Sequence, residues 1–102
     1  EFLVFLLNKS NRLIAKRRLS QGGVTHTVVD PKVIFRYAIE HYASGLILCH
    51  NHPSGNVQPS KADKLITQMV LAGAACFDLR FVDHLVVADE NYFSFADENL
   101  LL

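Results

Sequence analysis

Gly45-Leu46-Ile47-Leu48-Cys49-His50-Asn51-His52-Pro53-Ser54-Gly55 decides how this chain is read. Gly45 to His50 is a short apolar run of strand length. Pro53, Gly55 and Pro59 then make residues 51–59 a loop. Ser60 opens a helix whose apolar stripe is Leu65, Ile66, Met69, Val70 and Gly73. A buried strand feeding a loop and then a helix is an α/β unit, and open α/β sheets place ligands at the carboxyl ends of their strands. His50 and His52 stand at such an end. In extended chain, residues i and i+2 project to the same side, so both rings can aim at one point.

The flanking sequence agrees. Phe2 to Leu7 is a continuous apolar run, Asn8-Lys9-Ser10-Asn11 is a turn cluster, and Arg12 to Leu19 is a return strand, which predicts a hairpin. Gln21-Gly22-Gly23 interrupts, and Val24 to Val29 reads as another short strand. Asp30-Pro31 is a helix start, with Asp as cap and Pro at the first helical position. Val33, Ile34, Tyr37, Ala38 and Ile39 give that helix an apolar face. It is expected to run to about Ala43, with Gly45 just past its end. Phe77 to Val87 is strand-like, and Asn91 to Phe95 is a last short strand. The expected fold class is α/β, one domain over residues 1–102.

Composition sets the bounds. The chain has 102 residues, half of them hydrophobic, with ten basic and ten acidic side chains. That is enough for one core, and the balance of charge gives no global attraction to nucleic acid or to an anionic membrane. Lys9, Arg12, Lys16, Arg17 and Arg18 form one locally basic segment, read as a solvated strand edge or turn. Cys49 and Cys76 make no disulfide framework and lie in apolar surroundings, so both are expected to be buried free thiols in a reducing compartment. No apolar run approaches the ~20 residues of a membrane span, and no signal peptide is visible. The expected location is cytoplasmic, with no membrane partner. Because the first residue is Glu1 rather than Met, the chain is expected to be a piece of a longer protein.

The chemistry lies in His50-x-His52, seven residues, Ser60, two residues, Asp63. Two imidazole nitrogens and a carboxylate oxygen leave a fourth tetrahedral position for water, the arrangement of a catalytic zinc site. Bound zinc lowers the pKa of water from ~15.7 toward ~7. Ser60-x-x-Asp63 is also a helix capping box, and the two roles are compatible. Hydrolysis needs a general base as well. Glu1, Glu40, Asp78 and Asp83 are candidates between which spacing does not choose. Asp83-His84 in the late strand could support a ligand ring from behind or make only structural polar contacts. His26 and His41 sit in no motif and read as surface or satisfied polar residues. A zinc nucleobase deaminase would need H-x-E and P-C-x-x-C, and neither occurs.

The pattern His50-x-His52-x7-Ser60-x2-Asp63 resembles the JAMM motif of the MPN-domain metallopeptidases. The fuller string His50-Asn51-His52-Pro53-Ser54-Gly55, Pro59-Ser60, Asp63 and Thr67 is similar to the bacterial RadC-like branch. So are Asp83-His84-Leu85-Val86-Val87, Asn11-Arg12-Leu13-Ile14 and Ser20-Gln21-Gly22. The resemblance covers nearly the whole chain. It implies a cytidine-deaminase-like fold, a curved mixed sheet flanked by helices. It implies one zinc ion per chain, held by His50, His52 and Asp63, and a Ser60 hydroxyl that steadies the tetrahedral intermediate. It places the catalytic glutamate just before the first strand, which is Glu1. The implied activity is metalloprotease-type hydrolysis of a peptide or isopeptide substrate. The family was long labelled as DNA repair proteins and typically carries an upstream helix-hairpin-helix region. A non-catalytic or weakly active DNA-repair or replication module is therefore the alternative, with DNA reached only through that upstream region.

Overall fold

The computed structural model describes residues 1–20 and 29–101. These form β1 (Phe2–Leu7), β2 (Leu13–Ser20), α1 (Pro31–Glu40), β3 (Gly45–Asn51), α2 (Lys61–Cys76), β4 (Arg80–Ala88) and β5 (Asn91–Ser94). The five strands make one mixed sheet in the order β2-β1-β3-β4-β5. β1 and β2 are the expected antiparallel hairpin. Its turn is closed by Asn8, whose side-chain oxygen accepts from the Ser10 and Arg12 N–H groups at 2.9 and 3.0 Å. Asn11 takes the left-handed conformation there, as asparagine tolerates. β3 lies antiparallel to β1 and parallel to β4, with α2 as the crossover between the parallel pair. The architecture is the mixed α/β sheet that the resemblance to the MPN-domain family implies.

Side-chain alternation sends Phe2, Val4, Leu6, Leu46, Leu48 and His50 to one face of the sheet. There they meet Ile34, Tyr37 and Ala38 of α1 and Ile66 and Val70 of α2 in one core. Both helices thus cover the same face. Leu3, Phe5, Ile47, Cys49, Leu85 and Val87 occupy the opposite face and are only half-buried.

Several sequence expectations shift. β4 starts at Arg80 rather than Phe77, because Phe77 caps α2 and Asp78 takes the left-handed conformation. α1 ends at Glu40 rather than about Ala43. Tyr42 N–H bonds Ile39 O and Ala43 N–H bonds Ala38 O, which closes a Schellman-type end with Tyr42 in the left-handed region. Gly45 is therefore not the helix stop. It opens β3, where an added Cβ would stand 3.2 Å from the Arg80 carbonyl oxygen on β4. The buried arc of α2 is Asp63, Ile66, Thr67, Val70 and Ala74, whereas Leu65 and Met69 are exposed. The helix is rotated so that two polar residues, Asp63 and Thr67, face the sheet. Cys76, the last residue of α2, is exposed, and only Cys49 is half-buried. Cys76 lies on the side of α2 away from buried Ala74. Of the expected strand Val24 to Val29, residues 24–28 lie outside the described residues with Gln21-Gly22-Gly23 and His26, and Val29 belongs to no regular element.

Gly73 has a packing reason. A Cβ there would fall 2.5 Å from two atoms of the Phe35 ring, so only glycine lets α1 and α2 approach this closely.

Candidate metal centre

Ser60 caps α2 through the reciprocal box its sequence announces. Its Oγ accepts from the Asp63 N–H at 3.1 Å, and Asp63 Oδ2 accepts from the Ser60 N–H at 2.8 Å. That bond also turns the Asp63 carboxylate back toward the end of β3. Asp63 Oδ1 comes to 3.0 Å from His50 Nε2, Asp63 Oδ2 to 3.0 Å from His52 Nε2, and the two Nε2 atoms to 3.1 Å from each other. The capping box and the His-His-Asp cluster therefore use the same aspartate.

Each ring is held from behind. His52 Nδ1 lies 2.8 Å from the Asn56 carbonyl oxygen, which only accepts. Nδ1 therefore carries the hydrogen, and in the neutral ring Nε2 keeps its lone pair facing the cluster. Phe2, the register partner of His50 on β1, stacks on the His50 ring at 5.0 Å and 8°. His84 Nε2 lies 3.0 Å from His50 Nδ1, and Phe95 stacks on His84 at 4.7 Å. His84 is fully buried, and its Nδ1 lies 2.6 Å from Thr67 Oγ1.

Burial, then the neighbouring His50, pushes the His84 imidazole down to about 3, so it is neutral at physiological pH. Burial pushes the Asp63 carboxyl up. The His50 ring beside it and the hydrogen bond from the Ser60 N–H outweigh this and hold it well below the usual carboxylate range. Asp63 is thus an anion at neutral pH. Zinc–ligand bonds of ~2.0–2.1 Å at tetrahedral angles separate ligand atoms by ~3.3 Å, and here the two Nε2 atoms are 3.1 Å apart with each 3.0 Å from one oxygen of Asp63. Two imidazole nitrogens and an anionic oxygen suit zinc, although other divalent transition metals accept the same donors. Among the described residues this is the one group of three such side chains able to hold a metal ion.

The other sequence candidates are dispersed. Glu1 stands at the start of β1, where its main-chain nitrogen donates to Asn51 Oδ1 at 2.7 Å and its carboxylate pairs with Arg18 at 3.3 Å. Glu1 lines an open hollow of about 240 Å³ with Leu3, Cys49 and Val87, on the sheet face opposite the His50 ring. Burial, then the Glu1 charge, pushes the Cys49 thiol up. Asp83 does not touch the ligand rings. Its carboxylate accepts from Ser94 Oγ at 2.6 Å and from the Ala96 and His84 N–H groups, which fastens β5 to β4. Glu40 pairs with Arg36 on the exposed side of α1, and Asp78 sits in the exposed turn after α2. His41 Nδ1 rests on the Tyr37 carbonyl oxygen.

Sequence reasoning gave Asn56, Phe2 and Phe95 no role, and carried Thr67 only as a letter in a motif string. Asn56 supplies a main-chain oxygen, which side-chain identity does not advertise. Phe2 and Phe95 reach the rings through non-local strand placement.

A family model described as "RadC-like JAB domain" matches residues 1–100. A UPF0758 protein of Flavobacterium johnsoniae is 46% identical over 100 residues, covering 98% of this chain and 44% of the relative. A UPF0758 protein of Porphyromonas gingivalis is 48% identical over 102 residues, covering 99% and 45%. UPF0758 protein YeeS of Escherichia coli is 45% identical over 101 residues, covering 99% and 68%. The chain spans less than half the length of the first two of these relatives. It belongs to the RadC-like JAB domain family.

Proposed function

We propose that this RadC-like JAB domain is a zinc-dependent hydrolase that cleaves a peptide or isopeptide bond. The observation that carries the reading is the meeting of His50 Nε2 and His52 Nε2, 3.1 Å apart, with the Asp63 carboxylate, whose Oδ1 lies 3.0 Å from the first and Oδ2 3.0 Å from the second. When bound there, zinc supplies a Lewis acid for the scissile carbonyl and a water acidified toward neutral pH. The chain's own groups do the rest. His50 and His52 are pinned by stacking and by hydrogen bonds to their far nitrogens, so they need little reorganisation. Glu1, the glutamate at the start of β1, is assigned to take the proton of the attacking water and return it to the leaving amine, which requires its carboxylate to leave Arg18 and turn toward the cluster. Ser60 Oγ accepts from the Asp63 N–H, and its own hydrogen meets no acceptor among the described residues. It is free to donate to the oxyanion.

The support for a DNA-associated module is the basic segment, now mostly edge strand β2. Arg17 lies 5.5 Å over the Tyr37 ring and Arg18 pairs with Glu1, so two of its charges already have partners within the chain. The hydrolase reading is favoured. Among the described residues no helix is long and apolar enough to cross a membrane. Both thiols are free, and a cytoplasmic setting is proposed on that ground.

Elemental analysis and hydrolysis of peptide and isopeptide substrates test the proposal together. Purified protein is expected to hold one zinc per chain and His52→Ala none. Glu1→Gln is expected to keep the zinc while losing turnover by about 100-fold or more. Equal zinc in wild type and His52→Ala overturns the ligand set, and unchanged hydrolysis by Glu1→Gln removes Glu1 from the reaction.

A further inference from the structure

The hydrogen bonds behind His50 run in one direction, and their origin is a hydroxyl on α2. Thr67 Oγ1 lies 2.7 Å from the Asp63 main-chain oxygen and 2.6 Å from His84 Nδ1. A carbonyl oxygen only accepts, and a hydroxyl has one hydrogen to give. The Thr67 hydrogen therefore goes to Asp63 O, and His84 Nδ1 must donate to Thr67 Oγ1. With Nδ1 protonated in a neutral, fully buried ring, His84 Nε2 is a bare acceptor. It lies 3.0 Å from His50 Nδ1, which must then carry the hydrogen. His50 Nε2 is left with its lone pair, facing His52 Nε2 and Asp63.

The geometry points to Thr67 as a positioning residue that, through His84, fixes the tautomer of His50 and presents its Nε2 lone pair to a metal ion before any ion arrives. The inference rests on the reading of His50 as a ligand. The relay begins on the backbone of one proposed ligand residue, Asp63, and ends on the ring of another. It passes from α2 through β4 to β3, so the three elements that frame the cluster are set in one orientation. Phe2 and Phe95, stacked on His50 and His84, hold the two ring planes while the hydrogen bonds choose which nitrogen is protonated. Without the hydroxyl, His84 Nδ1 loses its acceptor. His84 is then free to carry its hydrogen on Nε2 and donate to His50 Nδ1, which moves the His50 hydrogen onto Nε2 and blocks the lone pair.

Thr67→Val removes the hydroxyl at nearly constant shape, and Thr67→Ser retains it. Imidazole ¹H–¹⁵N correlation spectra of the metal-free proteins read the tautomers directly, and competition with a chelator reads zinc affinity. In wild type, His50 and His84 are both expected to be protonated at Nδ1. Thr67→Val is expected to shift His50 toward the Nε2-protonated form and to weaken zinc binding by about 10–100-fold. Thr67→Ser is expected to restore both. A purely structural threonine would change the unfolding midpoint and leave the His50 tautomer alone. An Nε2-protonated His50 in wild type overturns the inference, as does a Thr67→Val protein with unchanged tautomer and affinity. If Thr67→Val does not fold, the wild-type spectrum still decides. If wild type binds no zinc, the proposed function fails while the tautomers still test the relay.

Discussion

Asp63→Asn separates the two roles that one carboxylate plays. The substitution changes no heavy-atom count. An asparagine oxygen in the place of Oδ2 still accepts from the Ser60 N–H, so the capping box survives in weaker form. Its amide nitrogen takes the place of Oδ1, 3.0 Å from His50 Nε2, and donates where the carboxylate could only accept. Exchanging a charged for a neutral acceptor at Ser60 costs about 1 kcal/mol, and the new N–H donation returns about as much. Loss of the negative charge from the first turn of α2 costs about 0.5 kcal/mol. The metal-free variant should therefore match wild-type stability within about 1 kcal/mol. Zinc behaves differently. At free zinc about 100-fold above its Kd, binding stabilises the native protein by about 2.7 kcal/mol. At about 4–8 °C per kcal/mol for a domain of this size, that raises the melting temperature by roughly 11–22 °C. The variant has lost the anionic ligand and should show little of that rise. Calorimetric melts with chelator and with zinc measure both quantities. A full zinc-induced rise in Asp63→Asn would refute the assignment of Asp63 as a ligand. A loss of about 3 kcal/mol or more without metal would mean that the carboxylate serves as the buried partner of charged imidazoles instead.

Three other outcomes follow from the same contacts. Ser60→Ala should lower stability by about 1 kcal/mol through loss of the cap and slow hydrolysis by about 10²–10³-fold while zinc content is unchanged; denaturant melts, turnover and elemental analysis check the three parts. Gly73→Ala should destabilise, because crowding the Phe35 ring costs about 1–3 kcal/mol against about 1 kcal/mol of helix propensity gained, and a more stable variant would contradict the close approach of α1 and α2. His84 is neutral in the fold with its pKa pushed down to about 3, so below ~6.5 the unfolded chain binds a proton that the fold refuses. This contribution is intact above that pH and drains away as pH falls toward 3, by about 2 kcal/mol between pH 7 and 5 in metal-free protein. Equal denaturation midpoints at the two pH values would show that His84 is not held neutral.

Local chemistry made much of the fold legible. Asn8 and Asn11 announce the hairpin turn, Asp30-Pro31 starts α1, and Ser60-x-x-Asp63 starts α2, because caps and turns are settled by residues within four positions of one another. Helix faces were harder. Apolar spacing in α2 points to Leu65 and Met69, yet both face outward, because a polar pair, Asp63 and Thr67, is buried for the site. Hydrophobic periodicity does not register a buried polar residue. The end of α1 comes earlier than Gly45 suggests, because Tyr42 adopts the left-handed conformation that glycine most often supplies.

The order of residues by itself determined the α/β class, the helix starts and the donor atoms of the candidate site, since His50, His52 and Asp63 sit within fourteen positions of one strand–loop–helix unit. Only the tertiary structure decided how those donors are held. β1 brings Phe2 onto His50, β4 brings His84 behind it, and α2 turns Thr67 toward His84. Strand pairing and helix rotation join residues far apart in the chain, and the direction of a hydrogen bond exists only once both partners are in place.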